Sequence, residues 1–260
     1  MQTFQETAGR LLKGLHEHNY FTERRLGEGP VYSYHALFRD FLRARAAEEL
    51  SGGEISEIQR RAAAILMESG QAEDAAALLI DAGDWNGFVP FVIDNAHSLM
   101  SQGRSTTLEG WLAAIPEEIA GHQPWVLYWL GACRLWVSPA QSRSFFERAF
   151  HLFESLGDAA GTFSAWAGAV DTFFFEFDDF RPLERWISWL DARMRQGVSF
   201  PSAEVETRVA ASMTGALIWR RPDHPDMTKW VSALLALLQK GHYAEGRIRA
   251  YINIIAYYLW

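Results

Sequence analysis

The hydrophobic pattern of the first fifty residues predicts a helix, a β-hairpin and a second helix. Residues 7–16 carry apolar side chains at helical spacing. Residues 20–26 and 31–34 flank the turn residues Gly-Glu-Gly-Pro at 27–30, which is typical of a hairpin. After the hairpin, an apolar stripe at helical spacing consists of Leu37, Phe38, Phe41 and Leu42. We therefore expect His35 to lie where the second strand gives way to a helix.

The next segment, residues 54–120, has the pattern of short helices joined by glycine-containing corners. The predicted helices are 54–69, 71–82, 88–100 and 106–115. The side chains predicted to face inward are Ile58, Ala62, Ile65 and Leu66 in the first helix, Ala75, Leu78, Leu79 and Ala82 in the second, Phe91, Val92, Ala96 and Leu99 in the third, and Leu108, Trp111, Leu112 and Ile115 in the fourth. This order favours an array of helical hairpins and excludes a sheet.

The remaining residues, 124–260, predict seven longer helices. Their predicted bounds are 124–137, 142–156, 160–176, 180–195, 203–219, 226–240 and 244–260. Alternate helices begin about every 40 residues, which is within the range of helical solenoids. The first helix of each pair contains an interior glycine, at Gly131, Gly168 and Gly215, which costs about 1 kcal/mol relative to alanine. Close approach of a neighbouring helix is the expected reason for that cost.

The amino-acid composition disfavours a membrane protein and a nucleic-acid-binding protein. The chain has 260 residues, 49% of them hydrophobic, a net charge of −8 and one cysteine, Cys133. Its apolar runs are shorter than the roughly 18–20 residues that span a bilayer, and its N-terminus lacks a signal-peptide pattern. We therefore expect a cytoplasmic protein with no membrane partner. Because no cluster of lysine and arginine is present, we also expect no direct binding of nucleic acid by this fragment.

The segment Tyr34-His35-Ala36-Leu37-Phe38-Arg39-Asp40-Phe41-Leu42 resembles the winged-helix signature of bacterial STAND-class transcriptional regulators, the MalT-like, LuxR-type group. The stretch Trp111-Leu112-Ala113-Ala114-Ile115-Pro116 is similar to a hinge of the same regulators. The resemblance implies a mainly α fold in three parts. These are the C-terminal part of a winged-helix domain at 1–50, a helical arm at 54–120, and an incomplete tetratricopeptide-like superhelix at 124–260.

The resemblance also implies a role for His35. In that family the equivalent histidine reaches the β-phosphate of ADP held by an upstream ATPase module. No Walker-type phosphate-binding motif occurs in this sequence, so we expect no cofactor in this chain and ATP or ADP in the parent protein. The implied partners are the chain's own upstream ATPase module, a small-molecule or peptide inducer, and other copies when the regulator is activated. The chain itself is predicted not to be an enzyme.

Aromatic side chains mark a candidate inducer groove on the predicted superhelix. The candidates are Trp129, Trp136, Phe173, Phe177 and Trp219. Aromatics at helical spacing more often belong to a core, but the consecutive aromatics at 173–177 cover every side of a helix, so some of them must leave it. The alternative function is a stand-alone tetratricopeptide-like scaffold for protein–protein interaction. A metal site at His16-Glu17-His18 is disfavoured because residues two apart face different sides of a helix.

Overall fold

A computed structural model describes residues 2–18, 20–25, 31–240 and 247–259. The fold is mainly α, with one antiparallel β-hairpin near the N-terminus, as predicted. Contacts group the chain into two compact units, Met1–Asp84 and Trp85–Trp260. The three-part division at residues 50 and 120 stays a prediction. Across the described ranges, no helix has both the length and the apolar character required to cross a bilayer.

The first unit contains four helices and the hairpin in its described part. The elements are α1 (Gln2–Glu17), β1 (Thr22–Arg25), β2 (Val31–Tyr34), α2 (Ala36–Glu49), α3 (Gly52–Glu68) and α4 (Ala72–Asp81). The hairpin pairs Thr22 with Tyr34 and Arg25 with Val31. Both strands and the helix after His35 confirm the pattern-based prediction, while the predicted turn at 27–30 and the end of the first predicted strand at Leu26 lie outside the described residues.

The apolar stripe of α2 is largely exposed in the first unit. Leu37 is 76% exposed and Phe41 61%, and no described side chain of α2 is fully buried. Phe38 and Leu42 are half-buried, and the ring of Phe38 lies 5.6 Å from that of Phe21 and 5.5 Å from that of Tyr34. The stripe is therefore helical, as predicted, but only its hairpin side is covered within this unit.

The inward face predicted for α3 is partly wrong. Ile58 and Ile65 are exposed, whereas Ala63 is fully buried. Helix α3 packs on α4, whose buried positions include Ala75 and Ala76. Small side chains let two helix backbones approach closely, so the contact is centred on alanines and the larger isoleucines lie beside it. For α4, burial of Ala75 and Leu79 confirms the predicted face.

The second unit consists of helices in its described part. They are α5 (Trp85–Ser101), α6 (Ser105–Ala114), α7 (Glu117–Ala120), α8 (Pro124–Arg134), α9 (Pro139–Leu156), α10 (Ala159–Glu176), α11 (Leu183–Arg195), α12 (Ala203–Arg220), α13 (Met227–Gln239) and α14 (Arg247–Leu259). The short α7 is not among the predicted helices, and the other bounds agree with the predictions to within a few residues. The predicted start of the last helix at 244 and its end at Trp260 lie outside the described residues.

Helices α8 to α14 form two rows. The inner row is α8, α10, α12 and α14, in which each helix contacts the next, and α9, α11 and α13 pack between them as the outer row. Helices α10 and α12 are buried along most of their length, at 161–173 and 207–218 with one half-buried exception at Arg208. Because they are covered on every side, their sequences have almost no amphipathic period.

A polar network lies within the inner row. The buried Asp171 of α10 accepts a hydrogen bond from Ser212 Oγ of α12 at 2.6 Å and pairs with Arg249 Nη2 of α14 at 2.7 Å. Asn253 Nδ2 of α14 donates to the backbone oxygen of Ala211 at 3.0 Å. A buried carboxylate is tolerated only when it is paired and hydrogen-bonded, and both conditions hold here.

The three interior glycines lie where a side chain of a neighbouring helix packs closely against the backbone. A Cβ atom on Gly168 would lie 2.6 Å from the ring of Phe146, and one on Gly131 would lie 3.1 Å from the same ring. A Cβ atom on Gly215 would lie 2.9 Å from Asn253 Nδ2. The buried Phe146 of α9 therefore lies between α8 and α10 in space that two side chains would otherwise fill. The predicted reason for these glycines is confirmed.

Replacing Gly168 by alanine tests this packing. The added methyl group overlaps a ring that cannot move away, so we expect the free energy of unfolding to fall by about 1–2 kcal/mol despite the better helix propensity of alanine. Gly110, in the middle of α6, is a matched control because a Cβ atom there would meet nothing within 4 Å. Gly110→Ala should raise the free energy of unfolding by about 0.5–1 kcal/mol. Urea denaturation measures both free energies of unfolding. An equal increase for Gly168→Ala and Gly110→Ala would contradict the close contact between Gly168 and Phe146.

Candidate ligand-binding site

His35 occupies the N-cap position of α2 in the first unit, with φ −54° and ψ 141°. Its backbone N–H donates to the oxygen of Phe21 at 2.7 Å, and its own carbonyl accepts from Arg39 N at 2.9 Å. The imidazole caps no backbone group and is exposed. The backbone thus fixes the position of His35 and leaves its ring available to another molecule.

The second unit contains a cavity of about 340 Å³ between α5, α8, α10 and α12. The lining residues are His97, Met100, Trp125, Tyr128, Trp129, Ala132, Leu135, Ala160, Ser164, Glu204, Val205 and Arg208. Three aromatic rings come from adjacent positions on α8, and the opposite walls come from the first turns of α10 and α12. A largely apolar concave surface with a few converging polar groups is the usual form of a small-molecule site.

The side chains with polar groups that line this cavity are those of His97, Tyr128, Trp129, Ser164, Glu204 and Arg208. Trp129 Nε1 is buried and has no hydrogen-bond acceptor in the described part of the chain. A buried N–H without an acceptor costs about 1–3 kcal/mol. Arg208 donates a hydrogen bond to the hydroxyl of Tyr128, and its guanidinium carbon lies 5.5 Å from the centre of that ring. The site therefore suits a ligand with hydrogen-bonding oxygens and a flat or apolar face.

The other four aromatic candidates lie elsewhere. Phe173 is 2% exposed, because it packs into the core with the Arg143 guanidinium 3.7 Å from its ring centre. Trp136 is 78% exposed and meets the edge of Phe175 at 4.4 Å between ring centres. The structure thus separates both residues from the cavity that contains Trp129.

Phe177 and Trp219 are brought together in an aromatic cluster with Phe180. The ring of Phe177 lies 5.1 Å from that of Trp219 and 5.4 Å from that of Phe180, and the latter two stack at 5.2 Å. This cluster lies at the C-terminal ends of α10 and α12, whereas the cavity is lined by their first turns. The predicted single groove is therefore two separate aromatic surfaces.

Two phenylalanines adopt the left-handed conformation that ordinarily favours glycine. Phe177 ends α10 with φ 51°, and Phe21 precedes β1 with φ 49°. At five other positive-φ positions the chain uses glycine: Gly70, Gly83, Gly103, Gly157 and Gly197. Such strain costs on the order of 1–3 kcal/mol and is concentrated at functional sites. Phe21 contacts the backbone of His35, and Phe177 belongs to the aromatic cluster, so both strained residues adjoin sequence-predicted candidates.

Sequence reasoning found Trp129 but missed most of its neighbours. Trp125, Tyr128 and Trp129 share one helix face, and that spacing is visible in the sequence. Arg208 is eighty residues from Tyr128, and no local pattern indicates that pairing. His16 and His18 direct Nδ1 to the backbone oxygens of Thr22 and Gly14, respectively. The described residues contain no group of three side chains arranged to hold a metal ion.

Two stretches of the chain resemble known proteins. Residues 2–54 match the family model of the MalT winged helix domain. Over 116 residues, the chain is 33% identical to the HTH-type transcriptional regulator MalT of Cronobacter sakazakii. In these stretches the chain is similar to the MalT-like transcriptional regulators. The aligned stretch covers 45% of this chain and only 13% of the length of the MalT relative. His35 lies within the region that matches the MalT winged helix.

The backbone strain at Phe177 can be measured by comparing two substitutions that remove its ring. Phe177→Gly and Phe177→Ala both remove the ring, but only alanine keeps a Cβ atom at positive φ. We expect the glycine variant to be more stable by about 1 kcal/mol in urea unfolding. Ser144 is an exposed position inside α9 and serves as the control. There Ser144→Ala should be more stable than Ser144→Gly by about 1 kcal/mol. If glycine and alanine were equally stable at 177, the strain would be absent in solution.

Proposed function

We propose that this chain is the sensor and switch segment of an ATP-dependent, MalT-like transcriptional regulator. Its tetratricopeptide-like helical rows bind an inducer or partner, and its N-terminal unit restrains a nucleotide-binding module that precedes it in the parent protein. The observation that carries the sensor role is the cavity of about 340 Å³ lined by aromatic side chains of α8 and by Arg208 of α12. The match of residues 2–54 to the MalT winged helix supports the assignment to this class of regulator.

The proposed sensing step uses three inner helices at once. The cavity is lined by α8, α10 and α12, so a ligand placed there contacts all three. A ligand that binds one arrangement of these helices more tightly shifts the population toward it by the difference in affinity. That shift favours the state of the regulator that exchanges ADP for ATP and self-associates.

The proposed switch step depends on His35. Its exposed imidazole, held by backbone hydrogen bonds on both sides, supports a contact to the diphosphate of ADP in the neighbouring module. A histidine bonded to a phosphate oxygen favours the ADP-loaded, resting state. This chain supplies the histidine, and the nucleotide is bound by the parent protein.

The aromatic cluster supports a second candidate function, a scaffold that binds a protein segment. Phe177 is 61% exposed beside Phe180 and Trp219, and exposed aromatic patches often mark protein interfaces. The two functions are distinguished by the cavity, because a scaffold that uses the cluster does not require it.

Filling the cavity tests the sensor role. Ala160 lines it, and Ala160→Leu places extra volume in the space that a ligand would occupy. In a thermal-shift screen, a small molecule at 100 times its Kd should raise the Tm of the wild-type chain by roughly 5–10 °C. The shift should disappear in Ala160→Leu and persist in Ala140→Leu, the same change at an exposed position of α9. If every stabilising compound acted equally on both variants, the cavity would not be the sensor site.

Replacing His35 tests the switch role in the parent protein with its ATPase module. Loss of one charge-assisted hydrogen bond should make His35→Ala release labelled ADP at least about tenfold faster in stopped-flow measurements. The fold should be unaffected, because the imidazole caps nothing and is exposed. His18→Ala, an exposed histidine of the same unit, should retain ADP normally. Unchanged ADP release in His35→Ala would remove His35 from the mechanism.

A further inference from the structure

A second cavity, of about 310 Å³, lies between α11, α12 and α13. None of its lining residues lines the cavity that contains Trp129. Its apolar surface comes from Met194, Phe200 and Trp230, together with Pro225 and Ala233. Its polar residues are Asp191, Arg195, Glu206, His224, Asp226 and Lys229. Charged side chains of both signs therefore surround one apolar surface.

The inner polar wall of this cavity is fixed by the protein itself. The backbone N–H of Asp226 donates to His224 Nδ1 at 3.2 Å, so Nδ1 is the unprotonated nitrogen of that ring. His224 Nε2 then donates to Asp191 Oδ2 at 3.0 Å, and the His224 side chain is 6% exposed. Arg221 Nη1 lies 4.0 Å from the same carboxylate oxygen. The charge of Asp191 is thus satisfied internally, and the wall keeps its shape without a ligand.

The outer charges differ, because they are not satisfied by one another. Arg195, Lys229 and Glu206 make no side-chain hydrogen bond or ion pair within the described part of the chain, and the Asp226 side chain does not cap α13. Other charged residues of this unit are paired across helices: Arg148 with Glu117, Arg193 with Glu154, and Arg220 with Glu184. The cavity therefore presents two cationic and two anionic groups that have no partner among the described residues.

We propose that this second cavity binds a small zwitterion with an apolar side chain, the chemical class of the free apolar amino acids. The ligand carboxylate is bound by Lys229 and Arg195 near the N-terminus of α13, where the helix dipole also favours an anion. Its ammonium is bound by Glu206 and Asp226. Its side chain packs on the surface formed by Met194, Phe200 and Trp230. A ligand with both charges satisfies both sets of groups, whereas a ligand with one charge leaves the other set without a partner.

Isothermal titration calorimetry on the whole 260-residue chain, with L-phenylalanine and L-leucine as probes, tests this proposal. Ligands of this size should bind with a Kd of about 1 mM. Lys229→Met and Glu206→Gln should each weaken binding at least tenfold. Lys240→Met and Glu118→Gln are matched controls at exposed positions outside both cavities, and they should bind as the wild type does.

Ligand analogues provide a test that does not depend on variants. 3-Phenylpropanoate lacks the ammonium and 2-phenylethylamine lacks the carboxylate, so each should bind at least tenfold more weakly than L-phenylalanine. No saturable heat with either amino acid up to 20 times the expected Kd would overturn the proposal. Equal affinity for the one-charge analogues, or binding unchanged in both variants, would also overturn it. Because the Trp129 cavity is separate, none of these outcomes decides the sensor role proposed above.

Discussion

The arrangement of the second unit depends on the ring of Phe146 lying between two glycines. Protein interiors are packed as densely as organic crystals, so a ring in contact with two helix backbones fixes their separation. The two backbones are those of α8 at Gly131 and α10 at Gly168. In the same way, Gly215 of α12 leaves room for the side chain of Asn253 of α14. Nearer their first turns, at Ser164 and Arg208, α10 and α12 line the cavity that contains Trp129.

Much of this fold is predictable from local sequence because glycine and proline mark its helix ends. Pro124 and Pro139 begin helices, and Gly157 and Gly197 follow the ends of two others. The burial of α10 and α12 is less predictable, because a helix covered on every side has no apolar period to reveal its contacts. The face of α3 was misassigned for a related reason: burial followed the close packing of Ala63, not the size of Ile58.

The candidate site shows the same division between local and tertiary information. The sequence identifies Trp129 because its aromatic neighbours are three and four residues away on one helix. It does not indicate Arg208, whose contact with Tyr128 exists only once α8 and α12 are neighbours in the inner row. It also cannot separate Phe173 from Phe177. The two residues are four positions apart, yet one is buried under a guanidinium and the other is exposed in a left-handed turn.

The polar network within the inner row limits how a ligand can move these helices. Surfaces rich in alanine and glycine are smooth, and packing alone would let such helices slide past one another. Asp171 prevents sliding because it is bonded to Ser212 on α12 and to Arg249 on α14, in an environment where separating charges is costly. If a ligand binds between α8, α10 and α12, as proposed, the network resists sliding of these helices along their axes and leaves changes in their spacing at the cavity end as the easier response.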